Sequence, residues 1–132
     1  NSPNRRPMVL LVEDNQMNQQ SITAYLEANR FEVLVADDGE TALRLTEGQG
    51  FDLILTDVQM AGMDGLELTR ELRHRERTRN LPIVALTAQA MDGDRERCLE
   101  AGMTDYLSKP LDLKMLVELA NKLTGRPVES TV

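Results

Sequence analysis

The sequence predicts an α/β protein, a doubly wound parallel sheet of five strands carrying five helices. Three observations lead there. Five short apolar runs alternate with segments of helical spacing. The first of them, Met8–Val12, is continuous rather than alternating, as expected of a strand covered on both faces. Three of them end in polar residues: Glu13-Asp14, Asp57 and Thr87. Polar groups at the carboxyl ends of several strands are how an open α/β sheet builds a site.

Met8–Val12 is the first apolar run. Polar residues 15–20 follow, then Ile22, Tyr25 and Leu26 at helical spacing, with Asn29-Arg30 ending that helix. Residues 33–36 make a second strand. Asp37-Asp38-Gly39 turns the chain into a helix over 41–47, stopped by Gly48 and Gly50. Leu53–Asp57 is the third strand. The loop Gly62-Met63-Asp64-Gly65 leads to a helix over 66–75. Ile83–Thr87 is strand four. A weakly amphipathic helix over 92–101 closes at Gly102, and 104–108 form a short fifth strand. Asp112 opens the last helix, whose Leu113, Leu116, Val117, Ala120 and Leu123 share one face.

Right-handed crossovers give five such strands the flavodoxin-like order 2-1-3-4-5. That order gathers the ends of strands one, three, four and five. Glu13, Asp14, Asp57, Thr87 and Lys109 are therefore expected to converge, although they are far apart in sequence.

Composition narrows the function. Hydrophobic residues are 41% of the 132 and aromatics 3%, with no Trp, so the core is aliphatic. The net charge of −7 argues against direct nucleic-acid binding, which needs clustered Lys and Arg. A lone Cys98 forms no internal disulfide and suits a reducing compartment. No apolar run nears the ~20 residues of a membrane span. The expectation is one cytoplasmic domain over residues 8–124, monomeric or weakly dimeric and without direct membrane contact. Residues 1–7 and 125–132 read as a linker and a tail.

Three carboxylates sharing one pocket need compensating charge. Lys109 supplies one positive charge and a divalent cation two more. An all-oxygen site without His or Cys favours Mg²⁺. Asp14 and Asp57 are read as direct ligands, Glu13 as acting through water, and the Gln59 backbone carbonyl as a further oxygen. Such a site suits phosphoryl transfer onto a carboxylate: Asp57 attacks in line, Lys109 neutralises the phosphoryl oxygens, and the Thr87 hydroxyl bonds the product.

Five stretches then agree with one family. They are Val12-Glu13-Asp14-Asn15, Leu55-Thr56-Asp57-Val58-Gln59-Met60, Gly62-Met63-Asp64-Gly65, Pro82-Ile83-Val84-Ala85-Leu86-Thr87-Ala88 and Tyr106-Leu107-Ser108-Lys109-Pro110. The chain resembles the response-regulator receiver domain from about Pro7 to Leu123. The resemblance implies that Asp57 is the phosphoacceptor and Glu13 and Asp14 the acidic pair. It further implies that Thr87 and Lys109 sense the phosphoryl group, that Tyr106 is the switch aromatic, and that Lys109-Pro110 is commonly cis. Asn15 with Asn18, Asp57-Val58-Gln59-Met60, and Ala90-Met91 before Gly93-Asp94 are similar to receivers of hybrid sensor histidine kinases. The implied partners are a histidine kinase phosphodonor domain and a histidine phosphotransfer domain, with the chain in the cytoplasmic part of a membrane-anchored kinase as one placement. Ala61 departs from that subgroup, which usually has Pro there, so the loop loses a φ restraint.

Blander readings stand beside these. Singly, Thr87 is a strand-end residue, Tyr106 half-buried packing, His74 exposed, and Cys98 a small core residue. Met17, Met60, Met63 and Met91 flank the site mouth, and the methionines read as core and loop packing. Residues 70–79 read as a mixed-charge solvated face. An aspartyl phosphatase would want an acid where Gln59 stands, so the isolated domain is not expected to be an enzyme beyond its own phosphorylation and dephosphorylation. A free-standing regulator and an unphosphorylated docking module remain as alternatives. A flavin carrier would need aromatics to stack the ring.

Overall fold

The computed structural model describes residues 6–60, 62–87 and 94–125. Its elements run β1 (Met8–Val12), α1 (Gln16–Ala28), β2 (Glu32–Ala36), α2 (Gly39–Gly48), β3 (Leu53–Asp57), α3 (Gly65–Arg73), β4 (Ile83–Thr87), α4 (Asp94–Ala101), β5 (Asp105–Ser108) and α5 (Leu113–Leu123). All four strand pairings are parallel, in the order β2-β1-β3-β4-β5. Fold class and order are those expected from the alternation of runs.

Strand residues alternate between two cores, because successive side chains point to opposite faces. Leu10, Val12 and Ile54 pack with Leu43, Leu68, Leu72 and Cys98 from α2, α3 and α4. Val9, Leu11, Leu53 and Leu55 pack with Ile22 and Leu26 of α1 and Leu116, Val117 and Ala120 of α5. The sheet is thus covered on both sides, which is why its strands carry no polar face. Only the strand ends are free to hold chemistry.

Caps explain the element bounds. Asn15, Asp38, Asp64 and Asp112 each accept from a backbone N–H of the helix that follows. Asp38 starts α2 at Gly39 rather than at 41, and α2 continues through Gly48 to an extended Gln49, so Gly48 does not stop it. Asp64 likewise starts α3 at Gly65, and α3 ends at Arg73, short of residue 75. Strand β2 begins one residue earlier than expected and β5 one later. Gly102, at φ +108°, does close α4. The expected start of α4 at Asp92 lies outside the described residues, as do Ala61, Ala88, Gln89, Ala90, Met91, Gly93 and both chain ends. Asp64→Ala is expected to cost about 1 kcal/mol, read as a lower urea midpoint with unchanged slope.

Two surface expectations need correction. Met17 and Met115 are exposed, at 77% and 55%, whereas Met103 is buried. Both exposed residues lie near helix starts, on the sides turned away from the sheet. Residues 70–79 are not a uniformly solvated face. Arg73 is half-buried and donates to the carbonyls of Gly102 (2.8 Å), Thr78 (2.9 Å) and Arg79 (3.0 Å). Burial lowers its pKa. Within the described residues no helix is long and apolar enough to cross a membrane.

Candidate functional site

Strand β1 delivers two acids. Glu13 extends the ladder by donating its N–H to the Ala36 carbonyl (3.1 Å). Its side chain is fully buried, and its carboxylate is met from three sides. The Asn15 N–H reaches one oxygen (3.1 Å), while the Asn18 amide (3.4 Å) and the Lys109 ammonium (3.3 Å) reach the other. Asp14, the next residue, is exposed, and no described residue donates to its carboxylate.

Strand β3 delivers Asp57, 7% exposed. One carboxylate oxygen accepts from the Gln59 N–H (3.2 Å) and the other from Lys109 (3.0 Å). Lys109 enters from the end of β5, where its own N–H donates to the Thr87 carbonyl (2.7 Å). Thr87 is buried at the end of β4, one residue beyond the Asp57–Leu86 pairing. Tyr106 pairs with Ala85 and is half-buried against the α2–α4 core. The Lys109-Pro110 peptide is cis. The structure therefore brings Glu13, Asp14, Asp57 and Lys109 together, holds Thr87 at the rim through its backbone, and leaves Tyr106 farther down β5.

Electrostatics follow from this packing. Burial raises the Glu13 pKa above its ordinary 4.5. The Asn15 N–H opposes that rise, the charge of Asp57 adds to it, and Lys109 opposes it. Burial alone would lower the Lys109 ammonium, but its hydrogen bond to and attraction by Asp57, with those of Glu13, hold it above 10.5. Lys109 thus stays charged throughout the neutral range. Its contribution to stability is present below 10.5 and lost only as pH rises through the folded value.

One carboxylate oxygen from each of Glu13, Asp14 and Asp57 lies within 4.8 Å of the others. Lys109 offsets one of these three charges. An oxygen-only set with one solvent-facing member fits a hard, partly hydrated cation such as Mg²⁺. Of the residues that shape this site, Gln19 was not singled out from sequence, and Asp37 and Gly65 were read only as turn and loop residues. The available signal for Gln19 was its register, three residues before Ile22 on the core-facing side of α1.

Residues 9–121 match the response regulator receiver domain family. The chain belongs to that family. It is a receiver domain of two-component signalling, as its motifs suggested. It is 43% identical over 124 residues to the sensor protein GacS of Pseudomonas syringae pv. syringae, covering 92% of this chain and 14% of GacS. It is 37% identical over 117 residues to the polar-differentiation response regulator DivK of Brucella ovis, covering 89% of this chain and 95% of DivK. Among solved structures it is similar to the receiver domain of sensor histidine kinase PA1611 from Pseudomonas aeruginosa PAO1, determined with a magnesium ion in its active-site cleft. That likeness has a TM-score of 0.85 at 44% identity, over 91% of this chain and 98% of the other. The receiver domain thus spans only a small part of the sensor kinases it matches, and nearly all of DivK.

Proposed function

We propose that this receiver domain takes a phosphoryl group from a phosphohistidine onto Asp57 with the help of Mg²⁺. The observation that carries the reading is Lys109, bonded to both Asp57 (3.0 Å) and Glu13 (3.3 Å) beside a solvent-facing Asp14. Asp14, Asp57 and the Gln59 carbonyl would hold the metal, with Glu13 acting through water. When bound, Mg²⁺ supplies charge neutralisation for the phosphoryl oxygens.

An Asp57 carboxylate oxygen attacks phosphorus in line. The P–N bond of the phosphohistidine breaks, and the imidazole leaves with the bonding pair and is protonated by solvent. Lys109 stays on the transferred group as charge builds on its oxygens. The Thr87 hydroxyl then bonds the acyl phosphate, and Tyr106 turns inward. The face of α4, β5 and α5 shifts its population between two states with that movement.

The donor and acceptor partners are a histidine kinase phosphodonor domain and a histidine phosphotransfer domain. A 240 Å³ cleft lined by Asn18 and Ser21 as well as Ile22, Pro110, Leu111 and Leu113 reaches Lys109, and offers such partners a mainly apolar surface beside the acids. Identity to GacS favours a hybrid sensor histidine kinase as the parent protein, with residues 8–124 as its receiver unit. The near-complete coverage of DivK supports a free-standing regulator as the second reading.

Acetyl phosphate with Mg²⁺ is expected to add one phosphoryl group per chain by intact mass. EDTA should prevent this, and Asp57→Asn should stay unmodified. Labelling of Asp57→Asn equal to wild type, or none in the wild type, would sink the reading.

A further inference from the structure

The side-chain amide of Gln19 lies between the first and second strand ends. Its nitrogen donates to the Glu13 carbonyl (2.5 Å) and to an Asp37 carboxylate oxygen (2.7 Å). Both acceptors lack hydrogens to give, so the amide must present its nitrogen to them, and its two N–H bonds are both used. Glu13 belongs to β1's continuation, Gln19 to α1, and Asp37 to the turn between β2 and α2. One side chain thus ties three elements together at the edge where the acids stand.

Asp14 is the residue this tie would fix. Its backbone is held on both sides. Upstream, Glu13 is anchored through its N–H to Ala36 and through its carbonyl to Gln19. Downstream, the Asn15 N–H bonds the Glu13 carboxylate, while the Asn15 carbonyl accepts from Gln19's own N–H (3.0 Å). The Asp14 carboxylate, by contrast, is exposed and receives no bond from any described residue. With no described residue bonding its side chain, the Asp14 carboxylate is placed by its backbone and its own rotamer, so a fixed backbone narrows where it can reach. Gln19 touches that backbone on both flanks, through its amide before Asp14 and through its N–H after it.

We propose that Gln19 is a positioning residue for Asp14, holding this acid's backbone at the metal-binding edge by clamping the Glu13 carbonyl to Asp37. Outer partners of this sort orient ligands, and their loss typically weakens metal binding ~10–100-fold. This rests on the reading of the acid cluster as a Mg²⁺ site.

The test is Mg²⁺ titration of the whole 132-residue chain, followed by backbone amide NMR and run well below the unfolding midpoint of each variant. Gln19→Leu is expected to raise the Mg²⁺ dissociation constant about tenfold. Acetyl-phosphate labelling should then be slowed at low Mg²⁺ and return towards the wild-type rate at saturation. A purely structural role would lower the midpoint and leave the Mg²⁺ constant alone.

Should Gln19→Leu not fold, Asp37 carries the test, since it is exposed and outside the ligand set. Asp37→Asn removes charge but keeps an acceptor oxygen, and should bind Mg²⁺ nearly as the wild type does. Asp37→Ala removes the anchor and should bind several-fold more weakly. Equal constants for Asn and Ala, or a Gln19→Leu constant within twofold of wild type, would overturn the proposal while leaving the Mg²⁺ site intact. A wild type that binds no Mg²⁺ would overturn both.

Discussion

Lys109→Met is expected to destabilise the metal-free domain by roughly 2 kcal/mol at neutral pH, with the loss shrinking under acid conditions. Removing one partner of a fully buried ion pair costs ~3–5 kcal/mol. Lys109 retains 21% exposure, so water screens part of that loss. Met keeps the aliphatic stem, so packing changes little and the missing charge dominates.

The pH direction follows from Glu13. Its folded pKa lies above 4.5, chiefly through burial. Its contribution to stability is fully present below 4.5 and is lost as pH rises through the folded value. Lys109 counters that rise through charge and a hydrogen bond. Without Lys109 the folded value climbs further, so the gap between variant and wild type opens above 4.5 and narrows below it. Urea unfolding in EDTA at acid and neutral pH measures this, and Mg²⁺ should restore part of the loss by replacing positive charge. A gap independent of pH would refute the account. Labelling by acetyl phosphate should fall on the order of a hundredfold, as when one charge-stabilising donor is removed.

The convergence on which this prediction depends was legible in the sequence. Glu13, Asp57 and Lys109 each follow an apolar run, and the strand order alone brings those ends together. Local chemistry was legible too, since Asp112 before Leu113 and Gly102 after Ala101 bound their helices as expected. Contacts between side chains and distant backbone were not. Arg73 sits in a run of charges that reads as solvated, yet it reaches carbonyls as far away as Gly102. Gln19 falls in a polar stretch that resembles a helix start, and its two acceptors belong to other elements. No periodicity encodes such bonds, because they depend on how loops meet after the sheet has formed. Gly65 was read as a turn residue, and its actual constraint is a neighbour eight positions away.

Gly65→Ala is expected to destabilise the domain by about 3 kcal/mol, at the upper end of the ~1–3 kcal/mol typical of overpacking. A Cβ on Gly65 would stand 2.4 Å from the Asp57 carbonyl oxygen and 3.0 Å from the Val58 Cα. Both are backbone atoms of β3 and its exit, so no flexible side chain can swing aside. The Gly65 N–H donates to the Val58 carbonyl (3.0 Å), which holds the start of α3 against that exit. Two forces therefore compete. As the first residue of α3, alanine would gain up to about 1 kcal/mol over glycine in helix propensity. The steric conflict exceeds that gain and sets the sign. Gly62 isolates the other cause of glycine preference. Its φ is +77° with open space around the added carbon, so Gly62→Ala should cost only the ~1–2 kcal/mol of a left-handed backbone. Relief of the Gly65 clash must move either α3 or the Asp57 backbone. Gly65→Ala should therefore also weaken Mg²⁺ binding and slow labelling, whereas Gly62→Ala should leave Asp57 in place. Urea unfolding of the two variants with parallel Mg²⁺ titrations decides it. A Gly65→Ala protein as stable as wild type would mean that α3 slides freely along β3, and that Asp57 does not owe its position to this close approach.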